Sequence, residues 1–234
     1  MQLTVRDVAG LLNVSEKTIY RWIKDKTIPA YRIHEQYRFH RAELLEWATS
    51  RKIGVSADIF QEVGEASGRV PSLAEALLAG GIVYRLFGTN TESVLRAAVD
   101  AMRLPEEVDR EQLLRFLVAR EALASTGIGD GIAIPHVRNP IVLHVARPTV
   151  TLCFLERPVD FGSLDRQPVH CLFTLISPTV RTHLHLLSRL AFTLRDPGFR
   201  DVIKRQALRD EIMAELHRVE AGLARAGSVP GKDT

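Results

Sequence analysis

Residues 125–136 read STGIGDGIAIPH. Three glycines at alternate positions precede a short apolar run that ends on His136. A glycine-rich loop offers backbone N–H groups that can hold an anion, and the apolar run has the composition of a strand. The sequence therefore predicts a strand that presents one imidazole, beside an anion-cradling loop at Gly127, Gly129 and Gly131.

Two nucleotide-binding patterns compete with this interpretation, and neither fits. After Gly127 and Gly129 the third position of the dinucleotide fingerprint is Ile132, and Pro-His follows where a helix should run. The P-loop pattern needs a Gly-Lys-Ser/Thr that does not follow. A histidine beside an anion site suits a phosphoryl group bonded to the ring nitrogen, because that labile N–P bond can pass the group onward.

Helix and strand patterns alternate across residues 72–222. SLAE at 72–75 and TNTE at 89–92 have the spacing of capping boxes that open helices, and Asp109 opens a third helix that carries Arg120. The predicted strands are GIAIPHV, TVTLCFLE and VHCLFTLIS, and the helices after them are RTHLHLLSRLAFTLRD and FRDVIKRQALRDEIMAELHRVEAGLA. This order predicts an α/β (α+β) sandwich in which helices cover a mixed sheet.

A second histidine is placed to join the site. His183 and His185 lie two residues apart on one predicted helix, about 200° apart around its axis, so they cannot converge on one metal ion or one ligand. His183 shares its stripe with leucines that face the core. His185 shares its stripe with Arg189 and Asp196, which are expected to face water. His183 is therefore the predicted partner of the site, against the alternative of a purely structural core histidine.

The first 52 residues carry a different pattern. Two short helical segments, LTVRDVAGLL and SEKTIYRWIK, are divided by a tight turn, and Thr4 and Ser15 are placed to cap them. On the second helix a cationic, hydroxyl-bearing face is formed by Lys17, Thr18, Arg21 and Lys24.

A hairpin and a third helix complete this first part. The segment YRIHEQYRF alternates in the manner of a β-hairpin around a tip at residues 34–36, which would put Arg32 and Arg38 together on its outer side. A final helix from Arg41 to Ser50 is expected to pack against the rest.

The chain divides at a segment of small and polar residues. Residues 53–71, IGVSADIFQEVGEASGRVP, are the predicted linker, within which a short helix from Ile59 to Val63 would act as a docking element. The predicted domains are then a winged helix-turn-helix at 1–52 and a larger domain at 72–222, followed by a frayed tail at 223–234.

Charge and composition agree with two different parts. The first 52 residues carry a net charge of about +4 and the remainder about −1, which suggests a module that faces nucleic acid joined to a near-neutral one. Cys153 and Cys171 lie in apolar runs and are interpreted as buried reduced thiols. No apolar run approaches the roughly 20 residues of a membrane span, and no signal-peptide core is present. The expected location is the cytoplasm.

Residues 2–51 resemble the winged helix-turn-helix of excisionase and MerR-type DNA-binding proteins. The resemblance is carried by the short motifs LT, VS, IP and RF, which occur in this order along the chain. The resemblance implies that the second helix enters the major groove and the hairpin contacts the DNA backbone or minor groove. An ordinary solvated helix face is the alternative. Because one module makes few phosphate contacts, a homodimer is expected. The expected DNA contacts are Lys17, Thr18 and Arg21 in the groove, with Lys24, Arg32 and Arg38 on phosphates.

Residues 72 to about 220 resemble the enzyme IIA domain of the phosphotransferase system (PTS), mannitol/fructose type, including its nitrogen-regulatory relatives. The motifs are RE.L.STGIG.GIAIPH, DFG.LD..PV, LISP….HL.LL..LA and FR. The resemblance implies that His136 accepts a phosphoryl group from HPr or an HPr-like carrier. It also makes His183 the residue that hydrogen-bonds the site and Arg120 the cation near the phosphate. Arg166 departs from the family, which often has glycine there, and changes the turn or the partner surface.

These observations predict a bacterial PTS-linked regulator in which phosphorylation of His136 controls DNA binding. One alternative is a phosphocarrier that passes phosphate to a IIB partner, and a second is an interaction protein gated by phosphorylation. In each case the chain is a phosphohistidine carrier rather than a stand-alone enzyme, and it is expected to need no cofactor and no metal.

Overall fold

The structure is a computed structural model that describes residues 2–33, 36–40, 43–44, 47–48, 51, 53, 70–137 and 145–226. It falls into two compact units, Met1–Gly68 and Arg69–Thr234, in agreement with the predicted two-domain architecture. Most of the predicted linker, including the short helix from Ile59 to Val63, lies outside the described residues.

The first unit is a small helix-turn-helix with a hairpin. Thr4 caps the first helix, accepting from the Asp7 amide, and Ser15 caps the second, accepting from the Thr18 amide, as predicted. Fully buried side chains of Val8, Ile19 and Phe39 form its core. Its elements are β1 (Gln2–Leu3), α1 (Val5–Leu11), α2 (Glu16–Lys24), β2 (Tyr31–Ile33) and β3 (Gln36–His40), with strand order β1-β3-β2.

The hairpin register differs from the prediction. Tyr31 pairs with Arg38, and Arg32 pairs with Tyr37. Paired residues share a face and successive residues alternate, so Arg32 and Arg38 leave the hairpin on opposite faces. The predicted placement of both arginines on one outer side is wrong, because Gln36 belongs to β3 and not to the tip. A tip shorter by one residue reverses the face of every side chain on the returning strand.

The third predicted helix, Arg41 to Ser50, is described only in part. Glu43, Leu44, Trp47 and Ala48 are helical, and the side chains of Leu44 and Ala48 are completely buried. The ring of Trp47 packs edge-on against Trp22 of α2, with centroids 5.1 Å apart. These contacts place this segment against the core, as expected.

The second unit is a mixed sheet with helices on both faces. In the described residues the strand order is β4-β7-β8-β6-β5, in which β4 is parallel to β7 and β6 is parallel to β8. The other neighbours are antiparallel. The elements are α3 (Leu73–Gly80), β4 (Ile82–Leu86), α4 (Thr91–Ala101), α5 (Arg110–Leu123), β5 (Gly127–Gly129), β6 (Ile132–Ala133), β7 (Thr149–Val159), β8 (Val169–Ile176), α6 (Val180–Thr193), α7 (Pro197–Lys204) and α8 (Arg209–Ala226).

Two apolar cores lie on the two faces of this sheet. Alternate residues of β7 divide between them: Leu152 and Phe154 join the core that includes α3, α6, α7 and α8, whereas Cys153 and Leu155 join the core that includes α4 and α5. This period of two is what a central strand covered on both faces requires. Cys153 and Cys171 are buried and free, as predicted.

Several predicted boundaries need correction. The capping box predicted to begin at Thr89 begins one residue later. Asn90 caps α4, its side chain accepts from the Ser93 amide, and the Ser93 hydroxyl in turn accepts from the Asn90 amide. The helix predicted over 199–224 is two helices, α7 and α8. Gln206, at φ +50°, ends α7, and the amide of Ala207 bonds back to the carbonyl of Val202, which is a Schellman ending without glycine.

Strand and terminal boundaries also shift. Within GIAIPHV only Ile132–Ala133 forms a continuous strand, followed by an isolated bridge at His136. The short strands β1, β4 and β5 were not predicted. The helix α8 continues to Ala226, past the predicted start of the tail at 223, and residues 227–234 lie outside the described residues.

Candidate functional site

His136 lies where two parallel strands end. It bridges Leu175 of β8 in parallel register, and the Leu175 amide donates to the Pro135 carbonyl at 3.0 Å. Helix α6 begins at Val180, shortly after β8 ends. Open α/β sheets bind ligands at the carboxyl ends of their strands, and the start of a following helix favours anions. The fold thus places the histidine at an edge suited to a phosphoryl group.

The imidazole of His136 is held in one tautomer. Its Nδ1 lies 2.7 Å from the carbonyl oxygen of Ile134, and the ring is only 3% exposed. A carbonyl oxygen only accepts hydrogen bonds, so Nδ1 must carry the proton. In the neutral ring the lone pair then belongs to Nε2. The backbone of the strand therefore makes Nε2 the ring nitrogen that carries the lone pair.

His183 is the histidine that the structure brings to His136. The two ring centroids are 5.2 Å apart with the planes inclined at 43°, and His183 is 2% exposed. It lies in the first turn of α6, whose cap Thr179 accepts from the Thr182 amide at 3.1 Å. The choice of His183 over His185 thus agrees with the geometry.

The stripe of His185 does not face water as fully as predicted. His185 and Arg189 are both half-buried. Burial, with the nearby charges of Arg189 and Arg181, lowers the pKa of His185 to about 4. His185 is therefore neutral at pH 7, and it is packed beside cations rather than solvated.

Arg120 is anchored at the same end of the sheet as His136. Its Nη1 donates to the Ala124 carbonyl at 2.7 Å, in the segment between α5 and β5. That segment is fixed to the strand of the histidine, because the Ile134 amide donates to the Thr126 carbonyl at 3.0 Å. The position suits a cation near a phosphate on His136, although the role of Arg120 stays a prediction.

Glu121 is a positioning residue that the sequence analysis missed. Its carboxylate accepts from the backbone amide of Thr126 at 2.9 Å and from the Thr126 hydroxyl at 2.5 Å. The carbonyl of Thr126 in turn holds the amide of Ile134, the residue that fixes the tautomer of His136. The five-residue spacing of Glu121 and Thr126 was the available signal in the sequence. Only the fold shows that both residues are linked to the segment that carries His136.

The glycine-rich stretch forms a tight β-hairpin. Gly129 pairs with Ile132, and the two residues between them, Asp130 and Gly131, have φ values of +54° and +72°. Two central residues with positive φ are what a type I′ hairpin turn needs, and Asp-Gly is a preferred pair for it. The alternating glycines are thus explained by strand and turn geometry.

The structure does not bring the turn of this hairpin to His136. Gly131 lies beside His170 and Cys171 at the start of β8, whereas His136 lies beside Leu175. Four residues lie between Gly131 and His136, so in extended chain the two are about 16 Å apart. The predicted cradle at Gly129 and Gly131 is therefore at the wrong end of the strand to hold a phosphate on His136.

The amides and Cα atoms of this stretch already have neighbours. The Gly127 amide donates to the Ser125 hydroxyl at 3.0 Å, and the Asp130 amide donates to an Asp165 carboxylate oxygen at 2.8 Å. A Cβ at Gly127 would lie 2.1 Å from the Ser163 hydroxyl oxygen. The glycines therefore permit close packing of this hairpin against the segment before β8.

The predicted DNA face of α2 is largely exposed. Lys17, Arg21 and Lys24 are exposed, whereas Thr18 is half-buried and its hydroxyl lies 3.0 Å from that of Ser15. The three cations follow one face of the helix, as the spacing predicted. Thr18 is engaged in the helix cap.

The two hairpin arginines have different surroundings. Arg32 is exposed, whereas Arg38 is half-buried and its Nη1 donates to the Tyr37 carbonyl at 3.1 Å. The pKa of the Asp7 carboxyl is lowered chiefly by hydrogen bonds from Thr4 and also by the charge of Arg38. Arg38 thus contributes to the electrostatics of the domain itself.

Comparison with known families agrees with both units. Residues 79–219 match the family described as phosphoenolpyruvate-dependent sugar phosphotransferase system, EIIA 2, and residues 3–52 match a helix-turn-helix domain family. The first match spans more than half of the chain, which therefore belongs to the EIIA type-2 family and carries an added helix-turn-helix domain. Among the helices that the structure describes, none is both long and apolar enough to cross a membrane.

Individual relatives match the second unit. The nitrogen regulatory protein of Pseudomonas aeruginosa is 38% identical over 136 residues, which are 56% of this chain and 86% of that protein. The fructose-specific EIIA component of Haloferax volcanii is 34% identical over 131 residues, 53% of this chain and 80% of that protein. The crystal structure of nitrogen regulatory protein IIA-Ntr from Neisseria meningitidis superposes with a TM-score of 0.53 at 28% identity, covering 62% of this chain and 98% of that one.

Proposed function

We propose that this chain is a PTS-linked regulator in which phosphorylation of His136 controls DNA binding by the helix-turn-helix domain. The observation that carries the proposal is the bond from His136 Nδ1 to the Ile134 carbonyl, beside the ring of His183. It supports a histidine prepared to receive a phosphoryl group on Nε2. The donor is HPr or an HPr-like carrier, and the reaction takes place in the cytoplasm.

The transfer step balances without a cofactor. The Nε2 lone pair of His136 attacks the phosphorus of a phosphohistidine on the carrier. The N–P bond to the carrier breaks, its electron pair returns to the carrier ring, and a new N–P bond forms at Nε2. The proton stays on Nδ1, which donates it in a hydrogen bond to the Ile134 carbonyl, and this bond stabilises the positive charge that the ring acquires.

The surrounding groups supply position and charge. In phosphoryl transfer a protein mainly aligns the groups and stabilises charge on the phosphoryl oxygens. His183 is close enough to donate a hydrogen bond to such an oxygen, and the first turn of α6 adds its positive dipole end. Arg120 supplies a cation from the Ala124 side.

DNA binding is the second half of the proposal. The exposed cations of α2 suit the major groove, and Arg32 suits a neighbouring phosphate. A homodimer would double the few contacts that one domain of this size can make. A phosphoryl group adds close to two negative charges, which can shift an equilibrium between forms that differ in DNA affinity.

Phosphorylation of the full chain by a phosphorylated HPr-type carrier tests the first half. We expect one phosphoryl group per chain, on His136 Nε2, detected by intact mass and by the ¹⁵N and ³¹P resonances of the ring. His136→Asn should abolish it, and His170→Gln, a change at a partly buried histidine elsewhere in the same unit, should not. Phosphate on Nδ1, or labelling that survives His136→Asn, would contradict the proposal.

Transfer onward to a IIB domain is the alternative function. The name of the 34%-identical relative, a fructose-specific EIIA component, favours it. The phosphorylated chain would then deliver its phosphate rapidly to a fructose-type IIB domain, and its DNA affinity would not depend on phosphate. The two functions are separated by measuring both quantities on the same preparation.

A further inference from the structure

Tyr20 lies in the middle of the cationic face of α2, where no role has been assigned to it. Its side chain is 51% exposed. It follows Lys17 by three residues and precedes Lys24 by four, so it shares their face of the helix. Arg21 is its neighbour in sequence and is also exposed. A large aromatic side chain therefore stands among the cations predicted to enter the major groove.

The Tyr20 ring is held from one side. It meets Tyr37 of β3 edge to face, with centroids 6.3 Å apart and planes at 73°. Tyr37 is half-buried and packs against the core of the domain. A ring that is supported by a fixed neighbour loses little conformational entropy when it binds a partner. Tyr20 is thus a preorganised, exposed contact.

The corrected hairpin register extends this surface to one arginine and not to the other. Arg32 is the cross-strand partner of Tyr37 and shares its face, which is the face that meets α2. Arg38 pairs with Tyr31 on the opposite face. The register thus places Arg32 on the hairpin face against which Tyr20 of α2 packs.

We infer that Tyr20 contacts base edges in the major groove of a DNA duplex, while Arg32 contacts an adjacent phosphate and Arg38 lies outside the interface. This inference rests on the proposed DNA binding. A phenol ring packs on the C5-methyl group of thymine, and its hydroxyl reaches base or phosphate acceptors. Tyr20 is then a determinant of sequence preference rather than of general affinity for DNA.

The test uses the full chain and duplexes that it selects from a pool with a randomised core, at fixed salt. Tyr20→Ala should weaken binding to the selected duplex by roughly 5- to 100-fold and relax the preference at one or two base pairs. It should leave the salt dependence unchanged, because no charge is lost. Arg32→Ala should instead make the negative slope of log K against log salt shallower by about 0.9 and keep the sequence preference.

Matched controls come from the opposite face of the hairpin. Tyr31 is a second exposed tyrosine, at 43%, and Tyr31→Ala and Arg38→Ala should change neither the preference nor the salt slope. Tyr20→Leu keeps apolar packing on Tyr37 and should lose the sequence preference as Tyr20→Ala does. It serves as the test variant if the Tyr20→Ala protein does not fold. Fluorescence of Trp22 and Trp47 reports folding of this unit.

Two results overturn the inference alone. A Tyr20→Ala or Tyr20→Leu protein that folds and selects the same sequence with unchanged affinity removes the role of Tyr20. Equal damage from Arg38→Ala and Arg32→Ala removes the assignment of faces. A wild-type chain that selects no duplex at all would instead defeat the proposed DNA binding together with the inference.

Discussion

Replacing Gly131 by alanine should destabilise the second unit without changing the chemistry of His136. At φ +72° an L-residue pays about 1–2 kcal/mol for the left-handed conformation. The added Cβ would also lie 2.1 Å from Nδ1 and 2.6 Å from Cε1 of His170, so the imidazole must move. Overpacking of this kind costs about 1–3 kcal/mol. The expected loss in free energy of unfolding is therefore about 2–5 kcal/mol.

Gly162→Ala is the matched control. Gly162 also has a positive φ, +65°, but a Cβ there would meet no atom within 4 Å. Both variants gain the same stiffening of the unfolded chain, so the difference between them isolates the clash with His170. A His170→Ala background should bring the cost of Gly131→Ala down to that of Gly162→Ala.

Urea unfolding of the full chain separates the two units. Both tryptophans of the chain, Trp22 and Trp47, lie in the first unit, so their fluorescence should not respond to Gly131→Ala. Circular dichroism at 222 nm, to which the second unit contributes most helices, should show the shift. Equal losses from Gly131→Ala and Gly162→Ala would refute the packing argument. A Gly131→Ala protein that stays stable but no longer accepts phosphate would instead support the prediction that this glycine-rich loop holds the phosphoryl group.

Three further predictions concern single side chains. His183→Gln should slow phosphorylation of His136 at least tenfold without unfolding the protein, as measured by single-turnover transfer from a phosphorylated carrier; an unchanged rate would remove His183 from the site. Burial lowers the pKa of His185 in the folded chain to about 4, below its ordinary 6.5, so the unfolded chain binds a proton that the folded chain does not. The free energy of unfolding should therefore fall as the pH drops from 6.5 towards 4. His185→Gln should reduce this dependence on pH, as measured by acid titration followed by circular dichroism. Burial raises the pKa of Cys153 to about 12 and also raises that of Cys171, so neither thiol should react with Ellman's reagent at pH 8 until urea unfolds the chain.

Local rules of sequence predicted the elements whose signals are complete within a few residues. Helix caps were predicted correctly at Thr4, Ser15, Ser72 and Asp109, because the capping side chain and the backbone amide that donates to it are three residues apart whatever the tertiary structure. The choice of His183 also came from helix periodicity, which fixes the face on which a residue lies.

Features that depend on a turn were not predictable in the same way. The alternation of the hairpin was correct within each strand, but the faces of Arg32 and Arg38 depend on one residue of loop length. The end of α7 uses Gln206 where glycine is the usual signal, so the sequence pattern continues through it. Alternating glycines fit an anion loop and a hairpin equally well, and only the partner of Gly131 decides between them.

Coupling between phosphorylation of His136 and DNA binding can be measured on three preparations of the full chain. DNA affinity is determined at fixed salt for the unmodified chain, for the chain phosphorylated by an HPr-type carrier, and for His136→Ala given the same treatment. Treatment with the phosphorylated carrier should change the affinity of the wild-type chain by about 5- to 150-fold and leave that of His136→Ala unchanged. Equal DNA binding by all three preparations would contradict this coupling.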